Sequence, residues 1–179
     1  MNTSEIREKL LDLAVPKIIL SGEVNGAMRL YVLDSLGYLY TKDCPGIEIV
    51  INSAGGDVKC GLDIYDALRL YPGRKKGVIV SKAESMAAVI LQVCDERLCC
   101  AHAHILIHNG DDRIKYDTLF DDNALKQFKD QAKENILRLH KILANRAERQ
   151  LSEVAEKCKL DTPMNATEAL DFGLIDEIV

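Results

Sequence analysis

Residues 77–91 read GVIVSKAESMAAVIL, and this stretch decides the fold. The first part is a β-branched run typical of a strand, whereas the part that follows Ser85 is apolar on every side, as in a buried helix. A strand that enters a helix through a tight turn exposes the first helical residues at the edge of the sheet. Two interpretations are open for Ser85: a side chain that caps the helix, or a nucleophile beside helix N–H groups that attract an anion.

The same alternation of strands and helices extends in both directions along the chain. Strand-like runs are found at residues 17–21, 47–52, 77–81, 98–100 and 105–108. Helical apolar patterns are found at residues 28–39, 64–71 and 85–94. Because alternating elements of this kind pair their strands in parallel through right-handed crossovers, the sequence predicts an α/β fold in one domain, residues 1–179.

The last third of the chain is predicted to be mostly helical. An apolar residue recurs every three or four positions over residues 117–150, which predicts one unusually long helix with a narrow apolar stripe. We expect part of this helix to contact another subunit, since its stripe needs a surface to lie on. Asn165 and Glu168 have the spacing of a capping box, and Gly173 is expected to end the helix that they begin. Residues 174–179 are predicted as an extended tail.

Composition limits the classes of function. The chain has 179 residues, of which 47% are hydrophobic and 28% charged, and a net charge of −5. This acidic balance argues against non-specific binding to nucleic acids and to anionic membrane surfaces. No apolar run reaches the length of a membrane span, and residues 1–9 lack the apolar core of a signal peptide. We therefore expect a cytoplasmic protein without a nucleic-acid or membrane partner.

The six cysteines are expected to be reduced, buried thiols. They are Cys44, Cys60, Cys94, Cys99, Cys100 and Cys158, and they lack the paired spacing of a zinc finger. One alternative is open: in an extended segment Cys100, His102 and His104 face the same side, and Cys and His are zinc ligands. His108 is the one further ligand near them in the sequence. The preferred interpretation is a chain with no metal and no cofactor.

A serine nucleophile needs a base that takes its proton, and the base needs an orienting partner. Of the four histidines, His140 lies off the apolar stripe of the long helix and is expected to be solvated. His102 and His104 precede a strand, whereas His108 ends an apolar run just before a turn. A catalytic base would project from such a strand end, so His108 is the candidate; the alternative is an ordinary surface or half-buried histidine.

Two glycines after the second strand, Gly55 and Gly56, offer another feature of a catalytic site. A residue without Cβ lets its backbone N–H approach a ligand closely. One of these N–H groups, together with that of Met86, can form an oxyanion hole, because the residue after a nucleophile often supplies such a donor. The alternative is an ordinary turn between a strand and a helix.

Four segments together resemble the Clp-type serine peptidases, the ClpP family. Residues 51–56 (INSAGG), 83–87 (AESMA) and 105–108 (ILIH) resemble the family segments INSPGG, AASMG and VMIH. Residues 161–169 (DTPMNATEA), followed by GLID at 173–176, resemble the segment that carries the acid of the family's triad. The four segments occur in family order and at near-family spacing.

The resemblance implies a role for each matching residue. Ser85 would be the nucleophile, His108 the general base and then acid, and Asp161 the carboxylate that orients the imidazole. Gly56 and Met86 would supply the oxyanion N–H groups, and the reaction would be hydrolysis of peptide bonds by a serine endopeptidase through an acyl-enzyme. We expect His108 Nε2 to lie roughly 3 Å from Ser85 Oγ in an active state and farther away in a resting one, with Asp161 beside the other imidazole nitrogen.

The resemblance also implies a fold and an assembly. The fold would be crotonase-like, with stacked β-β-α units, and the long helix would be a protruding handle that joins rings. Family members usually form two facing sevenfold rings that enclose the active sites, so the expected substrates are unfolded proteins or peptides. An ATP-driven unfoldase is a further partner in the family, although residues 1–16 show no match to the axial segment that contacts it.

Two departures from the family pattern bear on the site. Glu84 adds a negative charge beside Ser85, where an oxyanion must form, unless its side chain points away. Residues 109–117 are acidic and hold one glycine, where the family has a Gln-Pro and glycine-rich stretch that pairs with substrate. Two other functions stay open: a non-catalytic structural ring subunit of the same family, and a crotonase-type acyl-CoA hydratase or isomerase.

Overall fold

The computed structural model describes residues 3–110 and 114–179, so part of the acidic segment, residues 111–113, lies outside the described residues. The strands are β1 (Lys17–Val24), β2 (Ile47–Gly56), β3 (Lys75–Glu84), β4 (Glu96–Cys99), β5 (His104–Leu106), β6 (Met164–Asn165) and β7 (Glu177–Ile178). The helices are α1 (Thr3–Leu11), α2 (Gly26–Tyr40), α3 (Val58–Leu70), α4 (Met86–Leu91), α5 (Asp122–Ala147), α6 (Leu151–Leu160) and α7 (Ala166–Phe172), with a 3₁₀ helix at Tyr116–Phe120.

Most of the sheet is parallel. Its main path runs β1-β2-β3-β4-β7, and each neighbouring pair along this path is parallel. β5 pairs in parallel with β3 and antiparallel with β6. Parallel strands separated by helices confirm the predicted α/β fold class.

One face of the sheet carries the core. Ile47, Ile49 and Ile51 of β2 are buried and the residues between them are half-buried, which is the alternation of a strand with one well-covered face. Helices α2, α3 and α4 contribute to the same core. All six residues of α4 are buried, as its uniformly apolar sequence predicts, although the helix is shorter than residues 85–94.

β3 changes its partner along its length, and this change positions the candidate site. Residues 76–79 pair with β4, whereas residues 82–84 pair with β5. The register between β2 and β3 shifts between Ile51 and Ser53, so β3 is irregular where its neighbour changes. The end of β3 is therefore held by β5.

The long helix differs from the prediction at both ends. α5 spans Asp122–Ala147 rather than residues 117–150, and it ends where Glu148 adopts a left-handed conformation with φ 54°. α6 follows after a capping box formed by Gln150 and Glu153. α1 has no counterpart in the sequence-based prediction. Within the described residues none of the helices, α5 included, is long and apolar enough to cross a membrane.

Arg97 holds the C-terminal segment against the sheet. Its buried guanidinium donates to the carboxylate of Asp176 and to the carbonyl of Gly173. The capping box of Asn165 and Glu168 is confirmed, and so is the end of α7 at Gly173. Of the predicted extended tail, Glu177–Ile178 forms a strand.

Candidate active site

Three short strand segments position the candidate residues. β5 pairs with β3 on one side and with β6 on the other. Ser85 directly follows β3, His108 lies two residues after β5, and Asp161 lies three residues before β6. The register among these strands therefore sets the relative positions of three side chains that are far apart in the sequence.

Ser85 occupies a strained position between β3 and α4. Its backbone has φ 54° and ψ −123°, outside the regions that L-residues ordinarily adopt. Its N–H donates to the carbonyl of Leu106 at 2.8 Å, which ties the turn to β5. Within the described part of the chain the Ser85 side chain makes no capping hydrogen bond to α4, so the capping interpretation loses its support. A sharp, strained turn from strand to helix is the setting of the nucleophile in α/β-hydrolases.

Gly55 packs directly against this turn. A Cβ at Gly55 would lie 2.6 Å from the Cβ of Ser85 and 2.9 Å from the backbone nitrogen of Met86, so a side chain there would displace the turn. Its φ of 84° also lies in the left-handed region that favours glycine. The Gly55 N–H donates to the buried hydroxyl of Ser53 at 3.1 Å. Sequence reasoning missed this packing and the role of Ser53, because both depend on how β2 meets α4.

Gly56 and Met86, the predicted oxyanion donors, lie at the end of β2 and the start of α4. Gly56 has φ 147°, and a Cβ there would collide with the carbonyl oxygen of Val24. Met86 is the first residue of α4, and the first N–H groups of a helix have no acceptor within it. A Cβ added at Gly55 would lie 2.9 Å from the backbone nitrogen of Met86, so the two donor segments are neighbours. Their action on an oxyanion stays a prediction.

The structure brings His108 and Asp161 together. Nδ1 of His108 lies 3.3 Å from Oδ1 of Asp161, as expected for the orienting partner of a base. Asp161 directly follows α6 as its C-cap and has a left-handed backbone conformation, with φ 46°. From this position its carboxylate reaches His108. The side chains of His108 and Asp161 are 21% and 66% exposed. With Nδ1 facing the carboxylate, Nε2 is the ring nitrogen left to receive a proton.

Ser85 and His108 are connected through the backbone rather than through their side chains. Among the described residues no hydrogen bond joins Ser85 Oγ to the imidazole. The hydrogen bond from the Ser85 N–H instead reaches Leu106, two residues before His108. The distance of roughly 3 Å between Ser85 Oγ and His108 Nε2 therefore stays a prediction for the active state.

The carboxylate of Glu84 is bound through both of its oxygens. Oε1 lies 2.8 Å from Nε2 of His104, and Oε2 accepts a hydrogen bond from Nζ of Lys82 at 3.1 Å. Burial alone would raise the pKa of Glu84, but the hydrogen bonds from His104 and Lys82 outweigh burial and the pKa is lowered. The negative charge next to Ser85 is therefore engaged by partners on β3 and β5. Sequence reasoning identified the charge but not its partners.

The zinc alternative receives no support from the geometry. His104, one of its proposed ligands, contacts Glu84. Residues 3–110 and 114–179 contain no group of three or more His, Cys, Asp or Glu side chains arranged to hold a metal ion.

The cysteines fall into two groups of three. All six are free thiols; Cys94, Cys99 and Cys158 are buried, whereas Cys44, Cys60 and Cys100 are half-buried. Burial raises the thiol pKa to about 12 for Cys94 and to about 11 for Cys99 and Cys158. The expectation of buried thiols is therefore confirmed for three of the six.

His140 contradicts its prediction. It was expected to be solvated, but it is buried and its Nε2 lies 2.9 Å from Oδ1 of Asn109. Burial lowers the pKa of His140. Because Asn109 directly follows His108, α5 contacts the segment that carries the candidate base. The prediction is wrong because the periodicity of a helix reveals its apolar face but not a polar partner from another element.

The strained strand-to-helix turn at Ser85 and the imidazole of His108 beside the carboxylate of Asp161 are features that serine hydrolases also have. The family model described as Clp protease matches residues 2–179. ATP-dependent Clp protease proteolytic subunit 3 of Rhodococcus jostii (strain RHA1) is 33% identical over 171 residues, which cover 90% of this chain and 80% of that protein. An ATP-dependent Clp protease proteolytic subunit of Chlorella vulgaris is 29% identical over 138 residues, 74% of this chain and 65% of the other.

The chain belongs to the Clp protease family. This confirms the resemblance on which the site residues were assigned. Family membership and the names of the relatives support a ClpP-type peptidase.

Proposed function

We propose that the protein is a serine endopeptidase in which Ser85 is the nucleophile, His108 the general base and acid, and Asp161 the orienting carboxylate. One observation carries the proposal: His108, with Nδ1 3.3 Å from Oδ1 of Asp161, lies two residues after Leu106, whose carbonyl accepts a hydrogen bond from the N–H of the strained Ser85 turn. A hydroxyl becomes nucleophilic only when a base accepts its proton, and an oriented imidazole is such a base.

In each half of the proposed reaction one proton is transferred twice, first to His108 Nε2 and then away from it. His108 Nε2 takes the hydroxyl proton as Ser85 Oγ attacks the carbonyl carbon of a peptide bond, and then gives it to the leaving amine. The products of this half are an ester on Ser85 and a released amine. In the second half His108 takes a proton from water, the resulting hydroxide attacks the ester, and the proton returns to Ser85 Oγ as the acid leaves.

Asp161 acts on the imidazole and not on the substrate. Its Oδ1 lies 3.3 Å from Nδ1 of His108, and a hydrogen bond from Nδ1–H to this oxygen would fix the tautomer with a free lone pair on Nε2. The carboxylate also stabilises the imidazolium that forms in each half-reaction. The N–H groups of Gly56 and Met86 would receive the negative charge on the carbonyl oxygen, and the loss of one such donor lowers turnover about 10²–10³-fold.

The proposal includes an assembly. Large apolar side chains are exposed on the isolated chain, among them Leu30 at 54%, Leu70 at 70% and Phe120 at 74%. Exposed apolar groups of this size mark surfaces that contact other molecules. With the resemblance, they favour a homo-oligomer of sevenfold rings, single or stacked, that acts on unfolded proteins or peptides. The word "ATP-dependent" in the names of both relatives extends the proposal to an ATP-driven unfoldase as partner.

A comparison of Ser85→Ala with Ser81→Ala tests the function. Ser81 is exposed on β3 four residues before Ser85, so it is a matched control for the loss of a hydroxyl. We expect wild type and Ser81→Ala to hydrolyse a fluorogenic peptide and to react with a fluorophosphonate at Ser85. Ser85→Ala should do neither, and native mass measurement should show that all three proteins assemble alike.

Three outcomes would contradict the proposal. Turnover of the peptide that survives Ser85→Ala would exclude Ser85 as nucleophile. An assembled wild type without an adduct on Ser85 would favour a structural ring subunit. Turnover of an acyl-CoA, undiminished by Ser85→Ala, would favour the crotonase-type enzyme.

A further inference from the structure

The contact between Glu84 and His104 joins the two strands that carry the nucleophile and the base. Glu84 is the last residue of β3 and directly precedes Ser85, whereas His104 is the first residue of β5 and precedes His108 by four residues. In the parallel register Glu84 is opposite Leu106, so its carboxylate reaches diagonally across the strand pair to His104, at 2.8 Å. This side-chain contact adds to the backbone hydrogen bonds between the strands.

The strand pair that it spans is short. β5 has three residues, and among the described strands it pairs with residues 82–84 of β3 and with the two residues of β6. A slip of one residue in register would turn every side chain of β5 to the opposite face of the sheet. Side-chain pairs on neighbouring strands stabilise one register, so the contact between His104 and Glu84 affects where β5 and the residues after it lie.

The contact is also partly shielded from water. The side chains of Glu84 and His104 are 19% and 35% exposed. An electrostatic contact in such a position is screened less than a pair on the open surface. The negative charge of Glu84 is unfavourable beside an oxyanion, but the carboxylate contacts His104 on β5.

We propose that Glu84 and His104 are positioning residues that fix the spacing between Ser85 and His108. The proposal rests on the proposed function, since it concerns the alignment of that nucleophile with that base. Neither side chain touches the reacting atoms. Loss of the contact lets β5 move relative to β3, which carries the imidazole away from the hydroxyl and lowers the chemical rate more than it lowers substrate binding.

Lys82 provides a matched control for this role. Its Nζ binds the other oxygen of the Glu84 carboxylate at 3.1 Å. Because Lys82 and Glu84 both lie on β3, their contact does not cross between strands. Lys82→Gln therefore removes a charged partner of Glu84 but leaves the contact between β3 and β5.

The test compares His104→Ala, His104→Gln and Lys82→Gln with wild type as assembled, full-length proteins. We expect His104→Ala to lower kcat for a fluorogenic peptide about 10-fold, to leave KM within about twofold, and to slow fluorophosphonate labelling of Ser85 by the same factor as kcat. His104→Gln should recover most of the loss, because its amide can donate to Glu84. Lys82→Gln should stay within about twofold of wild type. Hydrogen exchange at residues 104–108 should be faster in His104→Ala.

Several results would overturn the proposal. One is a wild-type kcat for His104→Ala, and another is an equal loss in His104→Ala and Lys82→Gln, since a contact within β3 does not set the spacing to β5. If the wild-type protein neither hydrolyses the peptide nor reacts with the fluorophosphonate, the proposed function fails, and hydrogen exchange alone decides the role of Glu84 and His104. Faster exchange in His104→Ala then supports their positioning role, and unchanged exchange overturns it. If His104→Ala does not assemble, His104→Asn replaces it, because its amide is one carbon too short to reach Glu84.

Discussion

Replacement of Gly55 by alanine tests how closely the two-glycine turn holds Ser85. The added Cβ would lie 2.6 Å from both the carbonyl oxygen of Glu84 and the Cβ of Ser85, so backbone atoms have to move. Gly22 provides the control, because its φ of 88° is close to the 84° of Gly55 and an added Cβ would have nothing within 4 Å. The two variants share the conformational cost, and the steric conflict is confined to Gly55→Ala.

The expected magnitudes separate these two contributions. An alanine in the left-handed region lowers the free energy of unfolding by about 1–2 kcal/mol, and this applies to both variants. Overpacking at a buried contact lowers the free energy of unfolding further, by about 1–3 kcal/mol, and this applies only to Gly55→Ala. We therefore expect the free energy of unfolding to fall by about 2–5 kcal/mol in Gly55→Ala and by about 1–2 kcal/mol in Gly22→Ala.

The assay combines urea denaturation with peptide hydrolysis. A displacement of the Ser85 turn by about 1 Å is expected to lower turnover about 10²-fold in Gly55→Ala. Gly22→Ala should keep wild-type turnover, since the added methyl group contacts nothing. Equal destabilisation of the two variants, or wild-type turnover in Gly55→Ala, would refute the reasoning that Gly55 holds the Ser85 turn in place.

Two further predictions concern carboxylates. Asp161→Asn should lower kcat for peptide hydrolysis about 10³–10⁴-fold with little change in KM, because the amide favours the wrong imidazole tautomer, and a wild-type kcat would exclude Asp161 as the orienting group. Burial opposes ionisation of Asp176, but the hydrogen bonds and charge of Arg97 outweigh it and lower its pKa below the ordinary 3.8. The stability that this pair provides is therefore present above pH 3.8 and is lost as the pH falls through the lower pKa of the folded state. We expect Asp176→Asn to flatten the acid part of the plot of denaturation midpoint against pH. An unchanged slope in this variant would contradict the prediction.

Elements with local signals could be predicted from the sequence. The apolar spacing in residues 28–39 predicted a helix that the structure extends to Gly26–Tyr40, and the β-branched run at residues 47–52 predicted the first part of β2. The capping box of Asn165 and Glu168 needed no more than two residues at the right spacing. In each case the stabilising pattern is contained in one continuous segment.

The break between α5 and α6 could not be predicted in the same way. The apolar stripe continues past the end of α5, so periodicity gave no sign that the helix stops at Ala147. The stop depends on a left-handed Glu148, a residue type that rarely adopts this conformation. The N-cap of the next helix is Gln150, which is not among the preferred capping residues.

The candidate site likewise has features that could be predicted from the sequence and features that could not. Ser85, His108 and Asp161 were assigned from segments that resemble a family, and the position of Asp161 beside the imidazole agrees with the expectation. The strained backbone of Ser85 and the contact of Glu84 with His104 depend on the register of strands from separate parts of the chain. No local pattern encodes that register.

The pairing of β5 with β6 determines when the site can form during translation. Asp161 and β6 follow α5 and α6, so about nine-tenths of this chain is synthesised before the acid of the proposed triad exists. Synthesis proceeds at about 5–20 residues per second, and N-terminal parts fold first. A nascent chain that has not reached Asp161 thus carries the serine and the imidazole without their carboxylate partner, and the proposed hydrolytic activity is deferred until residues 161–165 have emerged.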